Sequence, residues 1–563
     1  MEKTCLRCST LFSVSDADLA FYERIAPTFD SEAAHLPAPR LCPDCRCRRR
    51  LTFRNERKLY QRSCSRSGEK LISIFSPDKP HTVYSNKLWW SAEWSPLDYG
   101  REIDFSRPFF DQFKDLYETV PKQALIGSGN ENCDFVNYVV NCKDCYLVLG
   151  WGENSEHCLY GKLLVNCRDC MDVTHANDCE LCMHCVSIVG CYRLFYSQSC
   201  KHCHDAYYLR NCIGCSDCFG CINLNNKQYC LFNEQLSKDE YNARLRFLLA
   251  DLRSGAQAAA SITRRIDDLY RLSPHKYYQG INTQDCSGDY LVNCKNIQAG
   301  FDVRDSEDGR YLTDINEVKA CMDLSYAGKN NTEYSYECVN YTSTHCMFSS
   351  LIWFCHDLFY CQDCFNGVHD CFGCTGLTHA EYCILNKSYS REEYGKLCRK
   401  LVSHMRETGE WGEFFPSALS PFGYNETLAQ EDFPLSRNEA LRQGFNWSDY
   451  NRNPQVKRLV KGSDLPRDPA HYSDEILEWT IECEATKRPF KIAKEELKFC
   501  REQRLALSHL HPDERHRLRN ALRNPRKLWT RRCAGCQTEL QSTYGPERPE
   551  AIYCERCFLG KIY

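Results

Sequence analysis

The chain has no uninterrupted apolar run of membrane length, and its opening, Met1-Glu2-Lys3-Thr4-Cys5, has no apolar leader segment. A membrane-anchored or secreted protein is therefore not expected. Charge of one sign is not in surplus either: 71 lysines and arginines face 75 aspartates and glutamates, for a net charge of −4. Such a balance exerts no global pull on nucleic acid or membrane. The signatures His-Glu-x-x-His and Gly-x-Ser-x-Gly are absent, and so is a P-loop. Gly127-Ser128-Gly129-Asn130 lacks the Lys-Ser/Thr pair and a following helix pattern, so it reads as a turn.

What is in excess is cysteine, 41 in 563 residues. With no secretory signal these thiols are expected in a reducing cytoplasm, which favours metal ligation or burial over disulfides. From Cys133 to Cys230, Cys-x-x-Cys pairs recur, among them Cys142/Cys145, Cys167/Cys170, Cys179/Cys182, Cys200/Cys203, Cys212/Cys215 and Cys218/Cys221. Many cysteines find another 21 to 25 residues on, as Cys142 does Cys167 and Cys182 does Cys203. That period is the length of one solenoid coil, and the segment is too rich in Cys, Asn and Gly for a helical array, so about four coils of a parallel β-solenoid are expected.

The termini carry a different pattern. Cys5, Cys8, Cys42 and Cys45 form two knuckles separated by a loop, as do Cys533, Cys536, Cys554 and Cys557. Each set supplies a tetrahedral Cys₄ zinc ribbon, so two Zn²⁺ per chain are expected. The two ends are duplicates at a constant offset: Arg54-Asn55 falls on Arg523-Asn524, Arg57-Lys58-Leu59 on Arg526-Lys527-Leu528, and Cys64 on Cys533. Upstream, with a shorter loop, Cys5 corresponds to Cys483 and Asp18-Leu19 to Glu496-Leu497. Each copy is therefore a double ribbon that has lost one metal site. The second ribbon of the first copy reads Cys64, Ser67, Ser85, Leu88; the first ribbon of the last copy reads Cys483, Thr486, His511, Glu514. Neither set holds zinc well.

The first solenoid closes at Tyr229-Cys230-Leu231-Phe232-Asn233, and Ser237-x-x-Glu240 then opens a helix with a capping box. Ser254-Gly255 breaks it, and a second helix follows. The closing motif returns at Tyr382-Cys383-Ile384-Leu385-Asn386, with a second capping box at Ser390-x-x-Glu393. The predicted fold is mainly β with helical insertions: two tandem cysteine-rich parallel β-solenoid modules flanked by duplicated zinc-ribbon domains. The N-terminal double ribbon is assigned to 1–100, an adaptor to 101–132, the first solenoid to 133–233 and a helical hairpin to 234–275. The second solenoid follows over 276–386, a capping helix over 387–406, an irregular linker over 407–475 and the C-terminal double ribbon over 476–563.

Glu410-Trp411-Gly412-Glu413-Phe414-Phe415-Pro416, Tyr382-Cys383-Ile384-Leu385-Asn386-Lys387 and Leu528-Trp529-x-Arg531-x-Cys533 together resemble an uncharacterised family of large cysteine-rich zinc-ribbon proteins associated with reduced-genome bacteria. The resemblance covers nearly the whole chain. It implies zinc and a cytosolic bacterial setting, and no activity.

Two roles compete for the central cysteines: a buried ladder of small apolar side chains, or further zinc sites built from paired knuckles. The second solenoid has few knuckles, and Leu291, Phe301, Tyr311, Leu312 and Met322 are its expected core positions, so the ladder is favoured. For function, basic runs follow each ribbon. They are Arg46, Arg48, Arg49, Arg50, Arg54, Arg57 and Lys58 at one end, and Arg515, Arg517, Arg519, Arg523, Arg526, Lys527, Arg531 and Arg532 at the other. Such clusters on an acidic chain read as a phosphate footprint, so a zinc-binding scaffold for structured RNA is the first expectation. The second is a scaffold for protein partners on the solenoid faces, with the arginines structural. An enzyme with a site between the solenoids ranks third. Asp302, Asp305 and Asp308, closed by Gly309, read as a solvated turn.

Overall fold

The computed structural model describes residues 1–254, 256–339, 342–450 and 459–562. Gly255, the expected helix break, lies outside them. Two long parallel ladders dominate, one from Gly127 to Leu231 and one from Gly280 to Ile384. Each ends in a short antiparallel return, Cys230 against Gln235 and Cys383 against Ser388.

From Lys162 onward in the first ladder the register step is twelve residues, after one thirteen-residue coil from Leu149 to Lys162: Lys162 pairs with Thr174, Thr174 with Val186, Tyr192 with His204 and His204 with Ser216. The chain therefore winds as a stack of twelve-residue coils, not the 21–25-residue coils expected from cysteine recurrence. The longer period is two coils: a thirteen-residue coil, as from Lys143 to Glu156, adds one residue, and cysteines at different inward positions shift it by a triplet.

The triplet is the unit of the coil. Every third residue has a left-handed backbone, as Asn166, Asp169, Asp172, His175 and Asp178 do with φ between 48° and 55°. Asn and Asp tolerate that region better than other side chains, which accounts for their frequency here. Several also bond their counterpart one coil on, as Asn166 donates to Asp178 and Asn293 to Asp305. The residue after each left-handed corner points inward. Cys167, Cys170, Val173 and Ala176 fill one coil, and Cys179, Cys182, Cys185 and Ile188 the next, none more than 2% exposed.

Interior thiols are hydrogen-bonded as well as buried. Cys170 donates to the carbonyls of Arg168 (3.3 Å) and Cys179 (3.5 Å). Ser155 occupies an equivalent position and donates to Glu153 and Leu164 in the same manner. A small side chain with one weak donor is what the narrow core requires, and cysteine meets it with little polarity. The second stack uses the same triplet rule with more aliphatic filling: Leu291, Ile297, Val303, Leu312 and Leu324 lie inside. Of its expected core residues, Tyr311 and Met322 instead face outward, against the N-terminal arm, and Phe301 lies outside the inward series. The triplet phase, not hydrophobicity, decides which side chains enter.

Helices close the far ends. Lys238–Ser254 and Ala256–Leu272 cover Phe219 and Leu231 at the end of the first stack through Tyr241, Ile262 and Ile266. Arg391–Glu407 and Phe109–Thr119 do the same for Phe372 and Ile384 of the second, through Tyr394, Phe109 and Phe113. The segment after Glu407 is irregular but firmly seated. Glu410 accepts from the amides of Phe109 and Phe110, and Gly412 donates to the Tyr360 hydroxyl.

The terminal arms grip both stacks in a two-fold-like arrangement. Val83-Tyr84 of the N-terminal arm pairs with Lys122-Gln123, just before the first stack. Ile552-Tyr553 of the C-terminal arm pairs with His275-Lys276, just before the second. Each arm then crosses over. Phe21, Tyr22 and Phe29 pack on Tyr336, Phe359 and Phe372 of the second stack, while Leu497 and Phe499 join Met171, Met183 and Phe195 of the first.

Candidate metal centres and the arginine latches

Each four-cysteine set lies where a hairpin meets the start of a helix, at the beginning of the N-terminal arm and at the end of the C-terminal one. Glu2–Thr4 and Leu11–Ser13 bring Cys5 and Cys8 into one turn, and Cys42 and Cys45 begin the helix Pro43–Leu51. Trp529–Arg532 and Glu539–Ser542 present Cys533 and Cys536, and Cys554 and Cys557 begin the helix Glu555–Ile562. Within each set the four sulfurs lie within 4.8 Å of one another. Cys8 and Cys42 are 3.6 Å apart, Cys536 and Cys554 3.8 Å. A tetrahedral thiolate site with bonds of about 2.3 Å needs sulfurs about 3.8 Å apart, so both sets fit one metal ion each.

Within each set the pKa values of the thiols are driven apart: hydrogen bonds to Cys42 and Cys554 push Cys45 and Cys557 up, while another thiol is pulled down. A hydrogen bond from Cys45 pulls Cys42 down to about 5, and Thr538 pulls Cys536 down to about 6. Amides point at the sulfurs, as those of Gly535 and Cys554 do at Cys533.

The two degenerate ribbons hold together without such a set. Leu88 donates its amide to the Ser85 hydroxyl, and Trp89, Trp90 and Trp94 pack around the hairpin. In the C-terminal arm, Thr486 donates its amide to Cys483, and the His511 ring caps the helix Pro512–Ala521 by accepting from Asp513. Among the described residues, the one other cluster of metal-binding type is His175, Asp302 and Asp314. Arg523 lies against His175 and Asp302, and Arg526 against Asp302 and Asp314, so two guanidiniums already supply the positive charge. Burial and then Arg523 hold His175 well below its ordinary value. Asp302, Asp305 and Asp308 do not converge: the last two accept from Asn293 and Asn296.

Six of the residues expected to meet phosphate are instead enclosed by the protein, which corrects the sequence reading for them. Arg46, Arg49, Arg50, Arg54, Arg515 and Arg519 are buried, Arg50 completely. Arg46 donates to Asp323 (2.9 Å) and Arg50 to the other oxygen of the same carboxylate (3.3 Å). Arg49 bridges Glu337 and Glu413, both at 2.8 Å. At the opposite end Arg515 donates to Asp172 (2.7 Å) and Glu496 (2.9 Å), and Arg519 to Asp172. Arg54 pairs with Glu56 and lies over Tyr138, while Arg523 pairs with Asp302 and lies over Tyr290. Arg57 and Lys58 meet Asp513, and Arg526 also meets Asp432. Arg531 donates to the carbonyls of Tyr544 and Gly545. Arg48 bonds Gln443 over the Phe433 ring, Arg517 pairs with Glu514, Lys527 lies over Trp529, and Arg532 is exposed.

Asp172, Asp323 and Glu337, the central carboxylates of these latches, belong to none of the motifs read from the sequence. Asp172 and Asp323 lie at matched corners of the two stacks, as do Tyr160 and Tyr311, over which Arg515 and Arg46 sit. The signal was present: the spacing that relates the two closing motifs, carried upstream with a small shift, aligns both pairs. No protein-family model matches this chain, and no curated protein matches it.

Proposed function

We propose that the chain is a zinc-stapled double β-solenoid that serves as a scaffold for protein partners, with its arginines structural. The observation that carries this reading is the enclosure of Arg46, Arg49, Arg50, Arg515 and Arg519 in ion pairs with the protein's own carboxylates. A phosphate footprint needs unpaired cations at the surface, and most of these arginines are enclosed with carboxylates instead. RNA binding through these segments would require undocking the arms. The donor sets Cys5/Cys8/Cys42/Cys45 and Cys533/Cys536/Cys554/Cys557 suit zinc, because four thiolates in tetrahedral array favour it among common divalent ions.

The face offered to partners is the outward ladder Glu156, Arg168, Glu180, Tyr192 and His204, which is exposed and steps one residue per coil. Adjacent rungs are spaced by about 4.8 Å, a rigid ruler for an elongated partner. The test is affinity capture from native extract with the parent chain and with Arg168→Ala/Tyr192→Ala/His204→Ala. Loss of specific protein partners without a change in melting temperature supports the scaffold. Tight, steeply salt-dependent retention of unrelated RNA by the parent chain would overturn it.

A further inference from the structure

A cavity of about 1040 Å³ lies at the centre of the molecule, where the two arms and the two stacks meet. Matched residues of the duplicated arms line it from both sides: Arg48 and Arg517, Arg57 and Arg526, Lys58 and Lys527. Its size is at the upper end of small-molecule sites. We propose that this cavity binds a net-neutral, hydroxyl-bearing ring compound, a sugar or a nucleoside, independently of any partner held on the outer face.

Charge sets the first limit. Eight basic and eight acidic side chains line the cavity. Most are already paired: Lys162 bridges Glu56 (3.1 Å) and Glu431 (3.2 Å), Arg57 meets Asp513 (3.1 Å), and Arg526 meets Asp432 (3.1 Å). A polyanion entering here would displace these pairs and meet as many carboxylates as cations. A neutral ligand disturbs none of them.

The second limit comes from one wall. Tyr311, Thr313 and Tyr326 of the second stack line the cavity side by side. Thr313 is 6% and Tyr326 2% exposed. None of the three hydroxyls has a hydrogen-bond partner among the described residues, and none is enclosed by protein, so each stays open to the cavity. Each offers a donor and an acceptor, which is the reciprocal of a polyol. Phe301 and Phe433 add apolar surface for a ring face.

The counterpart wall sharpens the argument. The first-stack positions matching Tyr311, Thr313 and Tyr326 are Tyr160, Lys162 and His175. Tyr160 donates to Glu496, Lys162 is doubly paired and His175 lies against Arg523. One copy of the duplicated wall is closed by its own contacts, and the other leaves its hydroxyls open to a guest.

The experiment uses the full chain with a disaccharide (maltose), adenosine and adenosine triphosphate as probes, read by saturation-transfer NMR and calorimetry. Maltose or adenosine is expected to bind saturably with little dependence on salt, and the triphosphate no more tightly than adenosine. Tyr326→Phe combined with Thr313→Val should weaken binding about tenfold or more, by loss of two hydrogen bonds. The same variant should melt no earlier than the parent, because the deleted hydroxyls have no partner to lose. Binding of maltose alone assigns a carbohydrate, and of adenosine alone a base-bearing ligand. The proposal fails if neither probe binds at millimolar concentration. It fails equally if the triphosphate binds more tightly than adenosine, or if the double variant binds like the parent.

Discussion

Asp172 and Asp323 occupy the same post in two different stacks: each is buried at a left-handed corner and receives two arginines one helical turn apart. Removing either carboxylate leaves two enclosed guanidiniums with a single remaining counter-charge, Glu496 beside Arg515 and Glu337 at 3.5 and 3.9 Å from Arg46 and Arg50. Asp323→Ala is expected to lower stability by about 3–5 kcal/mol, the usual consequence of breaking a buried pair from one side. Arg46→Met/Arg50→Met/Asp323→Leu should recover part of that loss, since the charges then left buried there, Arg49 and Glu337, still pair with each other. Urea unfolding of the two variants decides it.

Acid should weaken the C-terminal latch within a defined window. Asp172 is lowered to about 2: burial alone would raise it, and Arg515 followed by Arg519 more than reverses that. A carboxylate with a depressed folded-state value contributes stability above its unfolded value, and that contribution is lost as pH falls through the folded one. Between about pH 4 and pH 2 the latch should lose about 2–3 kcal/mol. Stability titrations of the parent and Asp172→Asn should differ above this window and converge within it.

Elemental analysis should give two metal ions per chain. Cys5→Ser and Cys533→Ser should each remove one, because a structural site contributes folding energy to its own module. Cys64→Ser and Cys483→Ser should remove none. Four ions in the parent would show that the degenerate ribbons still bind.

Alkylation separates the two classes of cysteine. A chelator should expose the eight terminal thiols to iodoacetamide, while the buried ladder thiols from Cys142 to Cys230 react only on unfolding; the partly exposed Cys47, Cys133 and Cys286 react without either. Cys203→Ser should fold at a cost of about 1 kcal/mol, since serine already fills such positions at Ser155 and Ser197. Cys203→Leu should cost about 1–3 kcal/mol by overfilling the coil.

The duplication of the arms, the two parallel ladders and both four-cysteine sets were legible because each leaves a spacing in the chain. Cys64 with Ser67, Ser85 and Leu88 is legible as a lost site for the same reason. The coil length was misread because cysteine occupies several inward positions. Cys158 to Cys182 is two whole coils, but Cys182 to Cys203 is two coils less one triplet. A three-residue rhythm of Asn, Asp and His at the corners would have given the twelve-residue repeat directly. Arginine burial was illegible for a different reason. Arg46 and Arg50 face inward only because Asp323 meets them across 277 and 273 residues of chain, and local pattern carries no information about such a contact.

That separation also sets an order on folding. The N-terminal arm leaves the ribosome with its arginines bare, and the carboxylates that receive them are made some 277 residues later. At about 5–20 residues per second the arm waits tens of seconds, within which only its own metal site can hold its shape. The C-terminal arm meets the converse situation: Asp172 stands ready 343 residues before Arg515 is made. The first stack must therefore remain open on that side until Arg515 and Arg519 are made, and the N-terminal latch, complete once Asp323 and Glu337 exist, can close before it.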